Sequence, residues 1–144
     1  MINRDLIQVV RQKLHKGKVL VIIGPRQVGK TTMINTLLKN KAYLFLDGDD
    51  QSVSDLLSSS NTEQLKSIIG DYKYVFIDEV QRIPNIGLKL KIMVDQIKDV
   101  QVIVSGSSAF DINNITQEPL TGRKFEYQMF PVSWSEYEKS VGFV

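Results

Sequence analysis

The segment that most constrains this chain is a glycine-containing loop between an apolar run and an amphipathic one. The loop, residues 24–31, reads G-P-R-Q-V-G-K-T and matches the phosphate-binding pattern G-x-x-x-x-G-K-T. The run Val19–Ile23 before it is short, apolar and β-branched, which is typical of a buried parallel strand. Residues 31–40 after it carry apolar side chains at helical spacing. This order predicts an α/β fold with an anion site at the helix N-terminus.

The residues of the loop predict how it binds a nucleotide. Glycines let the backbone turn so that successive N–H groups face phosphate oxygens. Lys30 brings a compact positive charge to the β- and γ-phosphates, and the Thr31 hydroxyl is a ligand for Mg²⁺. For Arg26, the alternative to contacting phosphate is a structural role in which its side chain stabilises the loop. The predicted nucleotide-binding residues are Gly24, Pro25, Arg26, Gln27, Val28, Gly29, Lys30, Thr31 and Thr32.

Composition limits the class of protein. The chain has 144 residues, 42% hydrophobic and 24% charged, which suits one globular domain with a core. A net charge of +2 does not by itself indicate nucleic acid, although nucleic acid stays open as a partner. The lack of cysteine removes disulfide and thiolate metal sites, and no apolar run approaches the roughly 20 residues that span a bilayer. We therefore predict a cytoplasmic protein without a membrane partner, in which His15 belongs to a solvated helix end.

The alternation of strand and helix patterns predicts a parallel sheet between two layers of helices. Strands are expected near residues 19–23, 42–46, 74–77, 100–104 and 125–130, and helices near residues 2–16, 31–40, 52–70 with a break at 58–61, 86–97 and from 134 onward. The expected domains are an N-terminal helix at 1–17, a core at 18–131 and the start of a truncated helical lid at 132–144. Because ligands bind at the carboxyl ends of such strands, residues that follow strands should gather at one edge.

A second motif is the apolar run at 74–77, which ends in Asp78 and Glu79. An apolar strand ending in aspartate is the Walker B pattern, and we expect this carboxylate to hold Mg²⁺ through water. Glu79 is the predicted general base that orients and activates the attacking water. The alternative is a pair of solvated carboxylates in a turn. The distance from Lys30 leaves room for a helix, a strand and more helix, which favours the catalytic interpretation.

A third motif follows the apolar run at 102–104 and contains three serines, Ser105, Ser107 and Ser108. A hydroxyl at this strand end can hold the lytic water or sense the γ-phosphate. We predict Ser107 for that role, with Ser105 second. The alternative is that the serines cap the next helix, and one serine can serve each purpose.

Arg123 follows Leu120-Thr121-Gly122 and is a candidate arginine finger. Such a guanidinium stabilises transition-state charge, either within the chain or in a neighbouring subunit of a homo-oligomer. The alternative is a surface arginine paired with a carboxylate such as Glu126, and the sequence does not separate the two. Arg82 is a weaker candidate for the same role.

Five motifs together resemble a known group: G-P-R-Q-V-G-K-T-T, F-I-D-E-V-Q-R-I-P, V-S-G-S-S, L-T-G-R and F-P-V-S-W-S-E-Y. They are similar to prokaryotic AAA+-type ATPases, in which an AAA domain precedes a C-terminal domain of uncharacterised function. The resemblance runs from about Arg4 to Tyr137. It implies ATP, Mg²⁺, a three-layer αβα P-loop NTPase fold of the ASCE type and a five-stranded parallel sheet in the order 5-1-4-3-2. It also implies that a lid and a downstream C-terminal domain are missing from this chain.

Three functions follow from these motifs. The first is an ATPase that hydrolyses ATP-Mg to ADP and phosphate, with Lys30, Glu79, Ser107 and Arg123 as catalytic residues and Thr31 and Asp78 as metal ligands. The second is a nucleotide-dependent switch or interaction module with little hydrolysis, because the expected lid is absent. The third is a GTPase or phosphotransferase. No Asn/Thr-Lys-x-Asp motif and no lid arginine cluster is visible, which disfavours the third.

Overall fold

A computed structural model of the protein describes residues 4–25 and 29–130. Its strands are β1 (Val19–Ile23), β2 (Leu44–Asp47), β3 (Tyr74–Asp78), β4 (Gln101–Gly106) and β5 (Lys124–Gln128). Its α-helices are α1 (Arg4–Gln12), α2 (Lys30–Leu37), α3 (Gln51–Ser59), α4 (Thr62–Ile69), α5 (Ile86–Gln96) and α6 (Ala109–Thr116). A 3-10 helix, Val80–Arg82, follows β3.

The five strands form one parallel sheet in the order β2-β3-β4-β1-β5. Read from the other edge, this is the predicted order 5-1-4-3-2, so the predicted fold class is confirmed. The central strands β1 and β4 are buried along their whole length, as their continuous apolar runs require in a parallel sheet covered on both faces.

Two separate hydrophobic cores lie on the two faces of the sheet. On one face, α1 and α2 cover apolar side chains that include Leu20, Ile22 and Phe76. On the other face, α3 to α6 cover a second set that includes Val21 and Ile77. Successive residues of a strand point to opposite faces, and the alternation in β1 supplies both cores. The result is the predicted three-layer αβα arrangement.

The bounds of several elements differ from the prediction. The helix α1 ends at Gln12 and not at 16, because His15 and Gly17 adopt the left-handed backbone with φ of 61° and 75°. The strand β4 continues two residues past 104, so Ser105 and Gly106 belong to it. The break at 58–61 separates α3 from α4 as predicted. The predictions for Arg26, Gln27, Val28 and the lid at 132–144 lie outside the described residues.

The topology decides which loops meet. Because all strands run in one direction, the segments that follow β1, β3 and β4 leave the sheet at the same edge. The strand β4 lies between β1 and β3, so the segment after β4 separates the glycine loop from Asp78 and Glu79. Within the described residues, no helix is long and apolar enough to cross a bilayer.

Candidate functional site

The glycine loop leaves β1 and closes on the lysine of its own motif. Gly24 N donates to the Gly106 carbonyl at 3.1 Å, which ties the start of the loop to the end of β4. Lys30 is the first residue of α2 and only 6% exposed. Its Nζ donates to the carbonyl oxygens of Gly24 and, at 3.2 Å, of Pro25. A buried ammonium needs such acceptors, and here they hold the charge inside the loop.

The first turn of α2 follows the loop directly. Its N-cap is Gly29, so no side chain of that residue caps the first N–H groups, and no acidic residue lies in the first turn. Thr31 and Thr32 are exposed beside Lys30. The helix N-terminus therefore offers N–H donors, a positive dipole end and a cation within one turn, which suits an anion such as a phosphate group.

Asp78 ends β3 with one carboxylate oxygen occupied. Its Oδ1 accepts from Ser105 Oγ at 2.5 Å and from Glu79 N at 3.0 Å. Within residues 4–25 and 29–130, no group donates to the other oxygen, Oδ2. Mg²⁺ prefers hard oxygen ligands and is commonly held by one or two protein ligands together with phosphates and water. Asp78 and the exposed Thr31 fit that donor set.

Glu79 is buried, with only 5% exposure, and its backbone is left-handed with φ of 49°. Its carboxylate Oε2 accepts from Gln81 Nε2 at 2.8 Å and from Ser107 Oγ at 3.3 Å. The tight turn also depends on Gly48. A Cβ at Gly48 would lie 2.2 Å from the Glu79 carbonyl oxygen, closer than any side chain allows. The loop after β2 thus closes over the backbone that aims Glu79.

The three serines after the apolar run of β4 divide the predicted roles between them. Ser105 Oγ contacts Asp78, and Ser107 Oγ contacts Glu79. Ser108 is the N-cap of α6, with its Oγ accepting from Asp111 N at 3.3 Å. Both alternatives for this motif are therefore present, on different serines.

Gln81 is the site residue that sequence reasoning missed. It lies in the 3-10 helix and contacts both Glu79 and Ser107. Its signal was its position two residues after the predicted base, but the contact depends on the left-handed turn at Glu79, which the sequence pattern does not indicate.

Arg123 lies at the other end of the sheet. It directly precedes β5, whose five residues span about 16 Å at roughly 3.3 Å per residue. Its Nε donates to both Asp95 carboxylate oxygens, at 3.0 and 3.2 Å. Arg123 lowers the pKa of Asp95, first through this hydrogen bond. The structure therefore does not bring Arg123 to the phosphate site of its own chain. Glu126, the carboxylate suggested for it, pairs with Lys124 instead.

Two other residues singled out in the sequence lie at opposite ends of the molecule. Arg82 forms a surface pair with Asp49 at 3.6 Å, beside the turn that carries Glu79. His15 lies at the end with Arg123, where its Nε2 is 2.7 Å from the Tyr74 hydroxyl. Arg82 is thus close to the site, whereas His15 contributes to the opposite edge of the sheet.

Comparison with known families agrees with this geometry. A family model described as an AAA domain matches residues 16–138, which is most of the chain. The chain belongs to this AAA domain family. Membership of the AAA domain family, together with the fold, supports a nucleotide-binding, ATPase-like function.

Two curated relatives are much longer than the region that matches this chain. They are the uncharacterized proteins Rv2008c of Mycobacterium tuberculosis and Mb2031c of Mycobacterium bovis. Each is 29% identical over 122 residues, which cover 84% of this chain but 27% of the relative. The chain therefore spans about a quarter of the length of these relatives.

Solved structures share the fold of this AAA domain. The Walker-type ATPase PABY2304 of Pyrococcus abyssi superposes with a TM-score of 0.66 at 13% identity, over 100% of this chain and 60% of that one. A DNA replication initiation factor gives a TM-score of 0.64 at 12% identity, over 96% of this chain and 48% of that one. At such low identity, the likeness shows the three-layer fold.

Proposed function

We propose that this AAA domain binds ATP-Mg and hydrolyses it to ADP and phosphate in the cytoplasm. The observation that supports the proposal is that three charged groups follow β1 and β3 at the same edge of the sheet, on either side of β4. Lys30 lies in the segment after β1, Asp78 ends β3 and Glu79 follows it, while Ser105 and Ser107, at and just after the end of β4, contact the two carboxylates. A phosphate cradle next to a buried, oriented carboxylate is what γ-phosphoryl transfer to water requires.

In the proposed reaction, backbone N–H groups of the loop and of the first turn of α2 bind the phosphates. Lys30 exchanges its loop carbonyls for β- and γ-phosphate oxygens. Thr31 and Asp78 would hold Mg²⁺, which when bound neutralises charge on these oxygens. Glu79 takes a proton from water while the water oxygen attacks the γ-phosphorus. The bond from that phosphorus to the β–γ bridging oxygen breaks, and ADP leaves.

Removing the lysine charge tests the phosphate site. We expect Lys30→Ala to abolish ATP binding and phosphate release, measured with a fluorescent ATP analogue and a coupled phosphate assay. Lys39→Ala is the matched control, because Lys39 is an exposed lysine just after α2. Equal binding by Lys30→Ala and the control would contradict the proposed site.

The second candidate function is a nucleotide-dependent switch, in which binding itself acts on a further domain. The length of the curated relatives supports this candidate, because about three-quarters of each relative lies outside the matched region and could respond to nucleotide binding. Stabilisation of the fold by ATP-Mg in a thermal shift assay, without phosphate release over hours, would support the switch. Phosphate release above a no-protein control would support the ATPase.

We keep Arg123 as a proposed arginine finger only between copies of the chain, because it lies about 16 Å from the site edge of β5. If a homo-oligomer brings Arg123 to the site of a neighbouring copy, the specific ATPase activity should rise with protein concentration. Arg123→Ala should remove that rise. Specific activity that stays constant over a hundredfold range of protein concentration would contradict the arginine-finger role. Arg123 would then serve only in the ion pair with Asp95.

A further inference from the structure

One side chain links the two catalytic strand ends. Gln81 Nε2 is 2.8 Å from Glu79 Oε2 and 3.5 Å from Ser107 Oγ. Ser107 Oγ in turn donates to the same Oε2 at 3.3 Å. The amide, the hydroxyl and the carboxylate form a closed triangle between the end of β3 and the segment after β4.

The chemistry of the triangle fixes the orientation of the amide. An ionised carboxylate only accepts hydrogen bonds, so the NH₂ group of Gln81 must face Glu79. This orientation leaves Gln81 Oε1 buried, and among the described residues it has no hydrogen-bond partner. A flipped amide would be less favourable, because the Gln81 oxygen would then face the Glu79 carboxylate, and neither group can donate a hydrogen bond.

The unpaired oxygen lies against Gly106. A Cβ at Gly106 would be 2.7 Å from Gln81 Oε1 and 2.4 Å from Ile112 Cδ1. The end of β4 therefore leaves no room for a side chain at position 106 beside the amide. A methionine at position 81 would fill a similar space without an unmet acceptor, so packing alone does not account for a glutamine here.

We propose that Gln81 is a positioning residue that holds the Glu79 carboxylate in the orientation needed for water activation. The proposal rests on the proposed ATPase function and deepens it. Two donors converge on Oε2, and they restrict rotation of the carboxylate about its last side-chain bond. The reacting geometry of a general base is sensitive to displacements of about 1 Å, which cost on the order of 10²-fold in rate. The unmet oxygen is retained because the other end of the same amide orients the base.

Kinetics of a near-isosteric variant test the positioning. We expect Gln81→Met to lower kcat about 10- to 100-fold while the Kd for ATP stays within about twofold, because the triangle does not touch the phosphates. Gln96→Met is the matched control, since Gln96 is exposed at the end of α5. A kcat for Gln81→Met within twofold of the control, in a protein that loses turnover with Glu79→Gln, would overturn the positioning role and leave the ATPase function standing.

A charge exchange tests the contact without any enzyme assay. Gln81→Glu places two carboxylates together and should lower the urea midpoint of unfolding. Adding Glu79→Gln to this variant should restore the midpoint, because positions 79 and 81 again pair an amide with a carboxylate. Hydrolysis should stay lost, because the general base is missing. No restoration would overturn the Gln81 contact whether or not the chain hydrolyses ATP. If the wild-type chain releases no phosphate, the proposed function fails and the positioning role fails with it.

Discussion

Each end of the sheet holds a glutamine whose amide forms side-chain hydrogen bonds, but Gln101 is buried with both amide groups bonded, whereas the half-buried Gln81 bonds through one group only. At the amino ends of the strands, Gln101 is 2% exposed and uses both groups of its amide. Its Oε1 accepts from His15 N at 2.6 Å, and its Nε2 donates to the carbonyls of Lys18 and Val102 at 2.9 and 3.0 Å. Both groups of this amide are therefore hydrogen-bonded, and they fasten the connection between α1 and β1 to the sheet.

At the carboxyl ends, Gln81 uses only its NH₂ group, and its oxygen is buried without a partner among the described residues. The same end holds the left-handed Glu79 and the buried Lys30. Left-handed residues occur at both ends, since His15 has a φ of 61°, so the buried oxygen without a partner is the feature that distinguishes the carboxyl end. The difference between the ends separates residues that stabilise the fold from residues that set the geometry of the site.

The largest expected effect is at Gly48, where the loop after β2 closes over Glu79. Gly48→Ala places a Cβ among the carbonyl oxygens of Asp78 and Glu79, at distances of 2.6 and 2.2 Å. Because backbone must move, we expect a loss of about 2–4 kcal/mol of unfolding free energy and most of the turnover. Urea unfolding measures the first quantity. Gly17→Ala is the comparison without a steric clash, because nothing lies within 4 Å of the added methyl group and only the left-handed φ of 75° opposes alanine, at a cost of about 1–2 kcal/mol. Equal effects of the two substitutions would contradict the close approach.

A matched pair of glutamine substitutions sharpens the comparison directly. Gln101→Met leaves the His15 N–H and the Lys18 carbonyl without their partner and should cost about 1–3 kcal/mol of unfolding free energy, with kcat unchanged. Gln81→Met removes the unmet oxygen and also one of the donors to Glu79 Oε2, two effects of opposite sign, so its unfolding free energy should fall by less than that of Gln101→Met while kcat falls. If both variants lost stability equally and neither lost turnover, the distinction between the two ends would be wrong.

The smallest expected effect concerns Asp95 at the amino end. The hydrogen bond from Arg123, followed by the charges of Arg123, Lys91 and Lys98, lowers the pKa of Asp95 below its usual 3.8. A lowered folded-state pKa gives stability that is present above 3.8 and is lost as the pH falls through the folded value. Asp95→Asn should therefore lower Tm at pH 7 and converge with the wild type near pH 2. Turnover should be unchanged. A Tm difference that is the same at both pH values would contradict the pairing.

The strands and their order were predictable because each strand is a short apolar run and the motifs resemble one family. The rule that gathers residues after parallel strands also places residues before strands at the opposite edge. That rule applies to Arg123, which precedes β5, and the structure follows it. The resemblance of the motifs had favoured a catalytic role for Arg123, although its position before a strand places it at the edge opposite the phosphate site.

The contacts inside the site were not predictable from patterns. Ser105, Ser107 and Ser108 differ by only one to three positions, yet they contact Asp78, contact Glu79 and cap α6 respectively. Which serine does what depends on where β4 ends, and β4 runs two residues further than its apolar stretch. Gln81 was missed for a similar reason, because a left-handed residue redirects the chain after β3.

The most direct test of the account is single-turnover hydrolysis of ATP by wild-type protein and by Glu79→Gln, with protein in excess and Mg²⁺ present. The account predicts that both bind ATP with similar Kd and that the variant hydrolyses it about 10²–10⁴-fold more slowly, since only the general base is removed. Hydrolysis by Glu79→Gln at the wild-type rate would contradict the assignment of the base and the centre built around it.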